Sequence, residues 1–357
     1  MSSGAFDYKT AVKRAVDGLA DSMPYVTYPS GHRDTLEVAC RRAVLTGVNQ
    51  TGAKLQEARM DEMGASFVEV TAHGGARPSH AVWQGRRYHR GGAVDYLGQH
   101  YEDFESATGY GTGAGLCGWN CRHTFFVVFP ELGSPPAWTQ ESLEALNARD
   151  IEYDGGLYTR YEISQMQRAR ERAVRKWKRR YLAEDAAGAD ATASAMKLRQ
   201  ARQSLADFTR ATGGRVDSAR TSIHGFGRSE ASRASYAARK QERFNAANTE
   251  LQQMREAGTI KAKGRLIESP SAPNEINFAS DHVLQRWAER GMGPMDAERI
   301  IRSSKVAMSQ RNGTQTCYYS ELGFVAIGQD GNVSSIGPLD EGGKKLMEVV
   351  KKHGIPH

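Results

Sequence analysis

Two glycine-rich segments constrain this chain more than any other feature of its sequence. The first runs from Val70 to Gly85, and the second runs from Gly109 to His123. Glycine allows positive φ and close approach of the backbone, whereas His, Cys, Arg and Asn side chains bind ions and polarise bonds. This combination predicts a functional cluster, whose members are His73, Arg77, His80, Gln84, Asn120, Arg122 and His123.

Each glycine-rich segment adjoins a predicted strand. Residues 67–71 alternate between apolar and polar types before the first segment, and 124–129 form an apolar run that Pro130 ends after the second. The ends of these two strands can bring the segments together. With a helix predicted from about 34 to 63, residues 26–135 form an α+β core with a small sheet and long glycine-rich loops.

Histidine and cysteine in these segments are the ligand types of a zinc site. The predicted metal ligands are His80, Cys117, Cys121 and His123. These residues lack the tight spacing of zinc fingers, so the alternative is that they hydrogen-bond and pack within the loops. No other cofactor is expected. With four scattered cysteines in all, a disulfide framework is not expected either.

A cysteine nucleophile is a second interpretation of the same residues. Cys121 or Cys117 beside His80 or His123, with Asn120 as the orienting group, supplies the residue types of a thiol hydrolase. Sequences with many polar residues offer such a trio by chance, and only spatial proximity would distinguish the two cases.

The positive charge of the chain is concentrated in one stretch. Residues 165–182 hold eight lysines and arginines against one glutamate, an excess equal to the formal net charge of +7. On a helix these cations can neutralise DNA phosphates or an acidic protein surface, and the alternative is a solvated helix face. The predicted nucleic-acid-binding residues are Arg168, Arg172, Arg175, Lys176, Lys178, Arg179 and Arg180.

Composition divides the remainder of the chain. A short amphipathic helix is predicted within residues 1–25, and residues 136–267 form a connecting and basic helical region interrupted by glycines. The Pro/Ser-rich segment 268–274 is the predicted domain linker. Residues 275–357 then form a small α+β domain with two helices, a β-meander and a final helix.

The glycine-rich segments also carry a family resemblance. HGGARPSHAVWQG at His73, followed by GYGTGAGLCGWNCRH at Gly109, resembles the tailed-phage minor capsid protein 2 family, a relative of the MuF-like head-morphogenesis proteins. The likeness continues through GHRDTLEVACRRAVLTGVNQ, FPELG, YDGGLYTRYEISQMQRARERAVRKWKRR and HGFGR, over about two-thirds of the chain. It implies a structural protein of the virion near the portal, with portal protein, major capsid protein and packaged DNA as partners.

A second, shorter resemblance concerns the C-terminal domain. SDHVLQRWAERGMGPMDAERII at Ser280, with the meander that follows, resembles phage toxin nucleases of the barnase/EndoU/colicin/RelE-like group. Such ribonucleases need a base, an acid and a cation, but no metal. The resemblance implies a catalytic set of His282, Arg286, Arg290, Tyr319 and Ser335, acting on host RNA after delivery by the capsid. The alternative is that the arginines are solvated and His282 caps or packs.

The sequence gives no sign of a membrane protein. No apolar run approaches the roughly 20 residues that cross a bilayer, and the N-terminus lacks the basic and apolar pattern of a secretory signal. We therefore expect assembly in the host cytoplasm, a final location in the phage head, and no membrane partner.

Overall fold

The computed structural model describes residues 25–29, 31–270, 272–273, 275–278 and 281–356, without the side chains of 281–283 and 286. The predicted N-terminal helix lies outside these residues. The chain is α+β, as predicted. It divides into two compact units, Met1–Ala231 (unit 1) and Ser232–His357 (unit 2).

Unit 1 contains short strands and seven complete α-helices among its described residues. The strands are β1 (Tyr25–Thr27), β2 (Arg33–Thr35), β3 (Phe67–Val70), β4 (Arg87–His89), β5 (Val94–Tyr96), β6 (Gln99–Tyr101), β7 (Phe125–Val127), β8 (Arg149–Tyr153) and β9 (Gly156–Thr159). The helices are α1 (Leu36–Met63), α2 (Pro78–Ala81), α3 (Phe104–Thr108), α4 (Gln140–Asn147), α5 (Arg160–Ala186), α6 (Thr192–Ala211) and α7 (Ser218–Thr221).

A three-stranded antiparallel sheet, in the order β4-β3-β7, forms the centre of unit 1. Its core joins the sheet to α1 through Met60 and to the second glycine-rich segment through Leu116, both of which are fully buried. Each such side chain stabilises the fold by about 1.5–3 kcal/mol. The glycine-rich loop is thus anchored in the core by its few apolar residues.

The helical region is interrupted where glycine permits a left-handed backbone. The predicted breaks at residues 213–214 and 225–227 separate α6, α7 and α8 (Arg228–Glu256). A further break between α5 and α6, which was not predicted, contains Gly188 with φ 65°. The start of α5 is fixed by a capping box, in which the side chains of Thr159 and Glu162 each bond the other's backbone amide.

Unit 2 is a five-stranded antiparallel sheet with helices on both faces. After α8 its strands are β10 (Arg265–Glu268), β11 (Val306–Gln310), β12 (Gln315–Ser320), β13 (Gly323–Gly328) and β14 (Val333–Gly337), paired in that order. Its remaining helices are α9 (Asp281–Glu289), α10 (Pro294–Ser303) and α11 (Glu341–Lys352). These elements match the predicted helices and meander, with β10 added at the edge.

The boundary between the units differs from the predicted linker at 268–274. The second unit begins at Ser232, because β10 pairs with β11 and α8 packs on the same core through Phe244 and Leu251. The Pro/Ser-rich segment is therefore a connection within unit 2, between β10 and α9. Its composition marks a loop, and loop composition alone does not identify a domain boundary.

Candidate functional site

The two glycine-rich segments leave neighbouring strands of one sheet. β3 ends at Val70, where the first segment begins, and β7 begins at Phe125, just after the second. Val70 and Phe125 are partners in the antiparallel register, and the amide of Thr71 donates to the carbonyl of Thr124 over 2.9 Å. Both segments therefore extend from the same end of this strand pair.

Long-range hydrogen bonds hold the segments together. The guanidinium of Arg77 donates to the carbonyl of Trp119 over 2.6 Å. The ring nitrogen Nε2 of His80 lies 2.9 Å from the carbonyl oxygen of Ala114. The predicted meeting of the two segments is confirmed by these contacts.

The backbone of the second segment is close-packed and strained. A Cβ at Gly115 would overlap with the carbonyl oxygen of Gly109, so this position accepts only glycine. Cys117 and Asn120 have φ values of 58° and 54°, in the left-handed region that non-glycine residues seldom adopt. Strain of this kind is concentrated at functional sites in proteins.

Three side chains of potential metal ligands converge between the segments. Their ligand atoms, from His80, Cys121 and His123, all lie within 4.8 Å of one another. The Cys121 sulfur is 3.7 Å from Nδ1 of His80 and 3.5 Å from Nδ1 of His123. All three residues are buried. We call this group the thiol-imidazole cluster.

Carbonyl oxygens outside the thiol-imidazole cluster fix the tautomers of both imidazoles. Nε2 of His80 faces the Ala114 carbonyl, and Nε2 of His123 is 2.9 Å from Oε1 of Gln84. Because these oxygens can only accept, each Nε2 carries the proton and donates it. Each Nδ1 then presents a lone pair towards the sulfur of Cys121, as metal-ligating histidines do when an outer partner orients them.

Cys117 does not belong to the thiol-imidazole cluster, although it was predicted as a fourth ligand. Its thiol instead donates to the carbonyl oxygen of His123, at 3.6 Å. Burial raises the pKa of this thiol, with the nearby Cys121 as the next cause. Sequence proximity suggested the role, but the left-handed backbone at Cys117 directs the side chain into the core of unit 1.

Burial sets the protonation of the thiol-imidazole cluster. It lowers the pKa of His123 to about 3, with the charges of His73 and His80 as smaller causes. It also lowers the pKa of His80 and raises the pKa of the Cys121 thiol. Two neutral imidazoles beside a protonated thiol are therefore the state of this group without a metal. A bound cation would displace the thiol proton, because the thiolate is the ligand form.

The rest of the predicted functional cluster surrounds these three residues. His73 stacks on His123 with ring centroids 4.3 Å apart, and its backbone amide donates to Oε1 of Gln84 over 3.1 Å. Gln84 therefore holds two of the predicted residues at once. Arg77, Asn120 and Arg122 face a cavity of about 510 Å³, which the three side chains of the thiol-imidazole cluster also line. All seven predicted residues are brought together.

Comparison with known protein families assigns the chain to one of them. A model of the family described as phage minor capsid protein 2 matches residues 1–210, more than half of the chain. The chain belongs to this family. It is therefore a virion protein with a structural role in the phage head, where it interacts with other virion components. No curated protein and no solved structure matches it.

The family match includes the site and most of the helical region. It covers both glycine-rich segments and α5, and it ends one residue before α6 does. Unit 2 lies entirely outside it. Within the described part of this minor capsid protein, no helix has the length and apolar character of a membrane span.

The predicted nucleic-acid-binding residues of α5 fall on two sides of the helix. Arg172, Lys176 and Arg180 are exposed and follow one another at intervals of four residues, which places them on one face. Lys176 and Arg180 also flank the Trp177 ring, at 5.3 and 5.6 Å from its centroid. We call these three cations the exposed stripe.

The other cations of that run serve contacts inside unit 1. Arg175 and Lys178 are buried, and they donate to the carbonyls of Arg220 and Thr221, respectively. Arg179 pairs with the carboxylate of Glu37 at 3.0 Å. A continuous cationic ridge is therefore absent from this part of α5, because about half of the run faces its own fold. Arg168 lines the cavity beside the thiol-imidazole cluster.

Among the described residues of the predicted catalytic set, Tyr319 and Ser335 lie on the face of the sheet opposite to the packed face of α9. Tyr319 packs in the core on the α8 and α11 face, and Ser335 lies opposite Ala326 of that same core. Trp287 of α9 packs on the other face of the sheet. Arg290 follows this helix, and the guanidinium of Arg290 donates to the carbonyl of Ile336 over 2.6 Å. The side chains of His282 and Arg286 lie outside the described residues.

Some residues of the site had no signal in the sequence. Asn49 of α1 donates its side-chain amide to the carbonyls of Cys121 and His123, at 3.1 and 3.0 Å. Arg160 at the start of α5 and Arg220 at the end of α7 line the cavity. Only the tertiary fold brings these residues to the site. A lone Asn or Arg in a helix predicts no such role.

Proposed function

We propose that this minor capsid protein contacts the packaged DNA, near the portal, through the exposed stripe of α5. The observation that carries the proposal is the separation of the basic run into buried cations that stabilise the fold and three exposed cations on one face. Arginine and lysine side chains at this spacing can neutralise successive phosphates without reading the base sequence.

The test is the salt dependence of DNA binding. Replacing Arg172, Lys176 and Arg180 by Gln should lower the affinity of the full chain for duplex DNA. The slope of log affinity against log salt should fall by about 2 to 3, near 0.9 for each phosphate that is no longer neutralised. The matched control removes three exposed cations of unit 2, by replacing Arg299, Arg302 and Lys305 with Gln.

Only one combination of binding results supports DNA contact through the exposed stripe. Loss of affinity and of salt slope in the stripe variant, with both retained in the unit 2 variant, agrees with the proposal. Equal effects in both variants would indicate nonspecific attraction by net charge and would contradict it. Retained DNA binding in the stripe variant would also contradict it and would favour an acidic portal or capsid surface as the partner.

We also propose that the thiol-imidazole cluster binds zinc. The proposal rests on two oriented imidazole lone pairs facing one thiol, a donor set that zinc accepts, with room for a fourth ligand from the cavity. The ion would cross-link two loops whose glycine content gives them little stiffness of their own. Elemental analysis of purified protein should find about one zinc per chain, and an absence of zinc would reject the proposal.

The alternative function, a capsid-delivered ribonuclease in unit 2, stays a prediction. It requires His282, Arg286 and Arg290 to act with Tyr319 and Ser335, which the sheet separates from α9. Incubating the full chain with RNA, with and without the change His282→Ala, tests it. Cleavage that depends on His282 would support the enzyme. Intact RNA with both proteins would reject it.

A further inference from the structure

We propose that the cavity beside the thiol-imidazole cluster binds a small phosphate-bearing ligand, up to the size of a mononucleotide. This cavity has a volume of about 510 Å³, in the range of pockets that enclose small molecules. A concave site of this size is not suited to the convex surface of a DNA duplex. The inference is independent of DNA contact by the exposed stripe.

The charge of the cavity wall selects an anion. Six arginines line it, and they come from four separate parts of unit 1: Arg77 and Arg122 from the two glycine-rich segments, Arg160 and Arg168 from α5, and Arg215 and Arg220 from the segment around α7. Among the residues that the structure describes, Asp217 is the single acidic member of the lining. Guanidinium groups match the geometry of phosphate oxygens, because their N–H donors form a planar fork.

Partial pairing inside the protein does not neutralise this charge. Arg220 lies 3.6 Å from the carboxylate of Glu171 and 3.5 Å from that of Asp217. Arg160 is 3.9 Å from the carboxylate of Asp150. These three carboxylates compare with six arginines in the lining, so the wall of the cavity attracts an anion.

The arginines are close enough to disfavour one another's charge. The pKa of Arg168 is lowered first by burial and then by the charges of Arg220 and Arg122. Crowded cations are costly to the fold unless a counter-charge is present. Three uncharged polar side chains of the lining can donate hydrogen bonds to the same anion: Asn120, Tyr161 and Gln165.

The test is direct binding of three probes to the purified full chain by titration calorimetry, with thermal unfolding as a second readout. The probes are inorganic pyrophosphate, deoxyadenosine 5′-monophosphate and, as the matched control, deoxyadenosine without phosphate. We expect both phosphate compounds to bind and to raise the unfolding temperature, because a ligand specific for the native state stabilises it. Deoxyadenosine should do neither.

Two variants locate the binding. Arg168→Gln removes a cation that lines the cavity and should weaken phosphate binding about tenfold or more, the effect of losing one charged hydrogen bond. Lys197→Gln removes an exposed cation from α6, outside the cavity and outside the exposed stripe, and should leave the affinity within about twofold. If Arg168→Gln unfolds, Arg160→Gln replaces it, because Arg160 lines the same cavity and is half-exposed.

Several outcomes would overturn the inference. These are failure of both phosphate compounds to bind, equal binding of deoxyadenosine, or the same loss in Lys197→Gln as in Arg168→Gln. Binding is also measured in Cys121→Ser, where it should persist. Its loss there would assign the phosphate to a bound metal and not to the arginines.

Discussion

Two clusters of functional residue types were predicted in this chain. The fold assembles one of them, whereas it places the described strand residues of the other on the face of the sheet opposite to α9. In unit 1, His80 and His123 meet although 43 positions separate them in the sequence. In unit 2, Tyr319 is nearer in sequence to α9, the helix that carries His282 and Arg286, but Tyr319 and Trp287 of α9 pack on opposite faces of one sheet. Distance along the chain therefore says little about which predicted residues act together.

The difference follows from how each cluster is attached to its sheet. The residues of unit 1 lie on loops that leave adjacent strand ends, so strand pairing brings them together. The residues of unit 2 lie on the strands themselves and on a helix, where side chains alternate between the two faces. Tyr318 packs on the face of the sheet that α9 covers, and Tyr319 packs on the face that α11 covers. A shift of one residue along the strand therefore decides on which face a side chain lies.

The largest expected change in stability concerns the second glycine-rich segment, which carries two residues of the thiol-imidazole cluster. Gly115→Ala should destabilise unit 1 by at least about 3 kcal/mol, because the added Cβ overlaps with the Gly109 carbonyl and the backbone has to shift. Chemical denaturation followed by circular dichroism measures this. Gly52→Ala is the control, since it lies within α1 with open space around it and should stabilise by roughly 0.5–1 kcal/mol. A neutral Gly115→Ala would mean that the loop is not close-packed as described.

A second prediction distinguishes the buried side of α5 from its exposed side by the pH dependence of stability. Burial lowers the pKa of Lys178 to about 8, with the charges of Arg202 and Arg175 as further causes. Above pH 8 the unfolded chain therefore binds more protons at this residue than the folded chain does. The free energy of unfolding of the wild type, relative to Lys178→Met, should rise by about 1.4 kcal/mol per pH unit from about pH 8 towards 10.

Lys176→Met is the matched control for that experiment, because it removes an exposed ammonium group from the same helix. Urea denaturation at pH 7.5, 8.5 and 9.5 gives the three curves. The Lys176→Met curve should stay parallel to the wild type. If Lys178→Met were also parallel, Lys178 would be solvated, and the division of the basic run into two sides would be wrong.

A smaller effect is expected in unit 2. Arg290→Met should lower the free energy of unfolding by about 1–3 kcal/mol, because the Ile336 carbonyl loses a charged hydrogen-bond donor. Arg299→Met, at an exposed position of α10, should change it by less than about 0.5 kcal/mol. Equal stability of both variants would mean that this hydrogen bond does not hold Arg290, whose guanidinium would then be available for phosphate binding.

Local patterns predicted most elements of the fold but not the contacts between them. Alternation and apolar runs located β3, β7 and β11 to β14, and glycines located two of the helix breaks. The short strand β10 has no distinctive composition, so its pairing with β11 was missed. Strand pairing over long separations depends on tertiary packing that no local window contains.

The candidate site shows the same limit. Residue types identified the seven members of the functional cluster, yet they also included Cys117, whose thiol is directed elsewhere by a left-handed backbone. Asn49 and the cavity arginines Arg160 and Arg220 were missed, because their roles arise only from tertiary contacts. Chemistry can be inferred from composition, whereas geometry requires the fold.

Cobalt binding tests the central claim most directly, namely that the two glycine-rich segments place His80, Cys121 and His123 around one metal position. Titration of metal-free protein with Co²⁺ should produce a thiolate-to-cobalt charge-transfer band with a stoichiometry of about one per chain. The band should disappear in Cys121→Ser and persist in Cys117→Ser. A band that required Cys117, or none in the wild type, would contradict this account of the site.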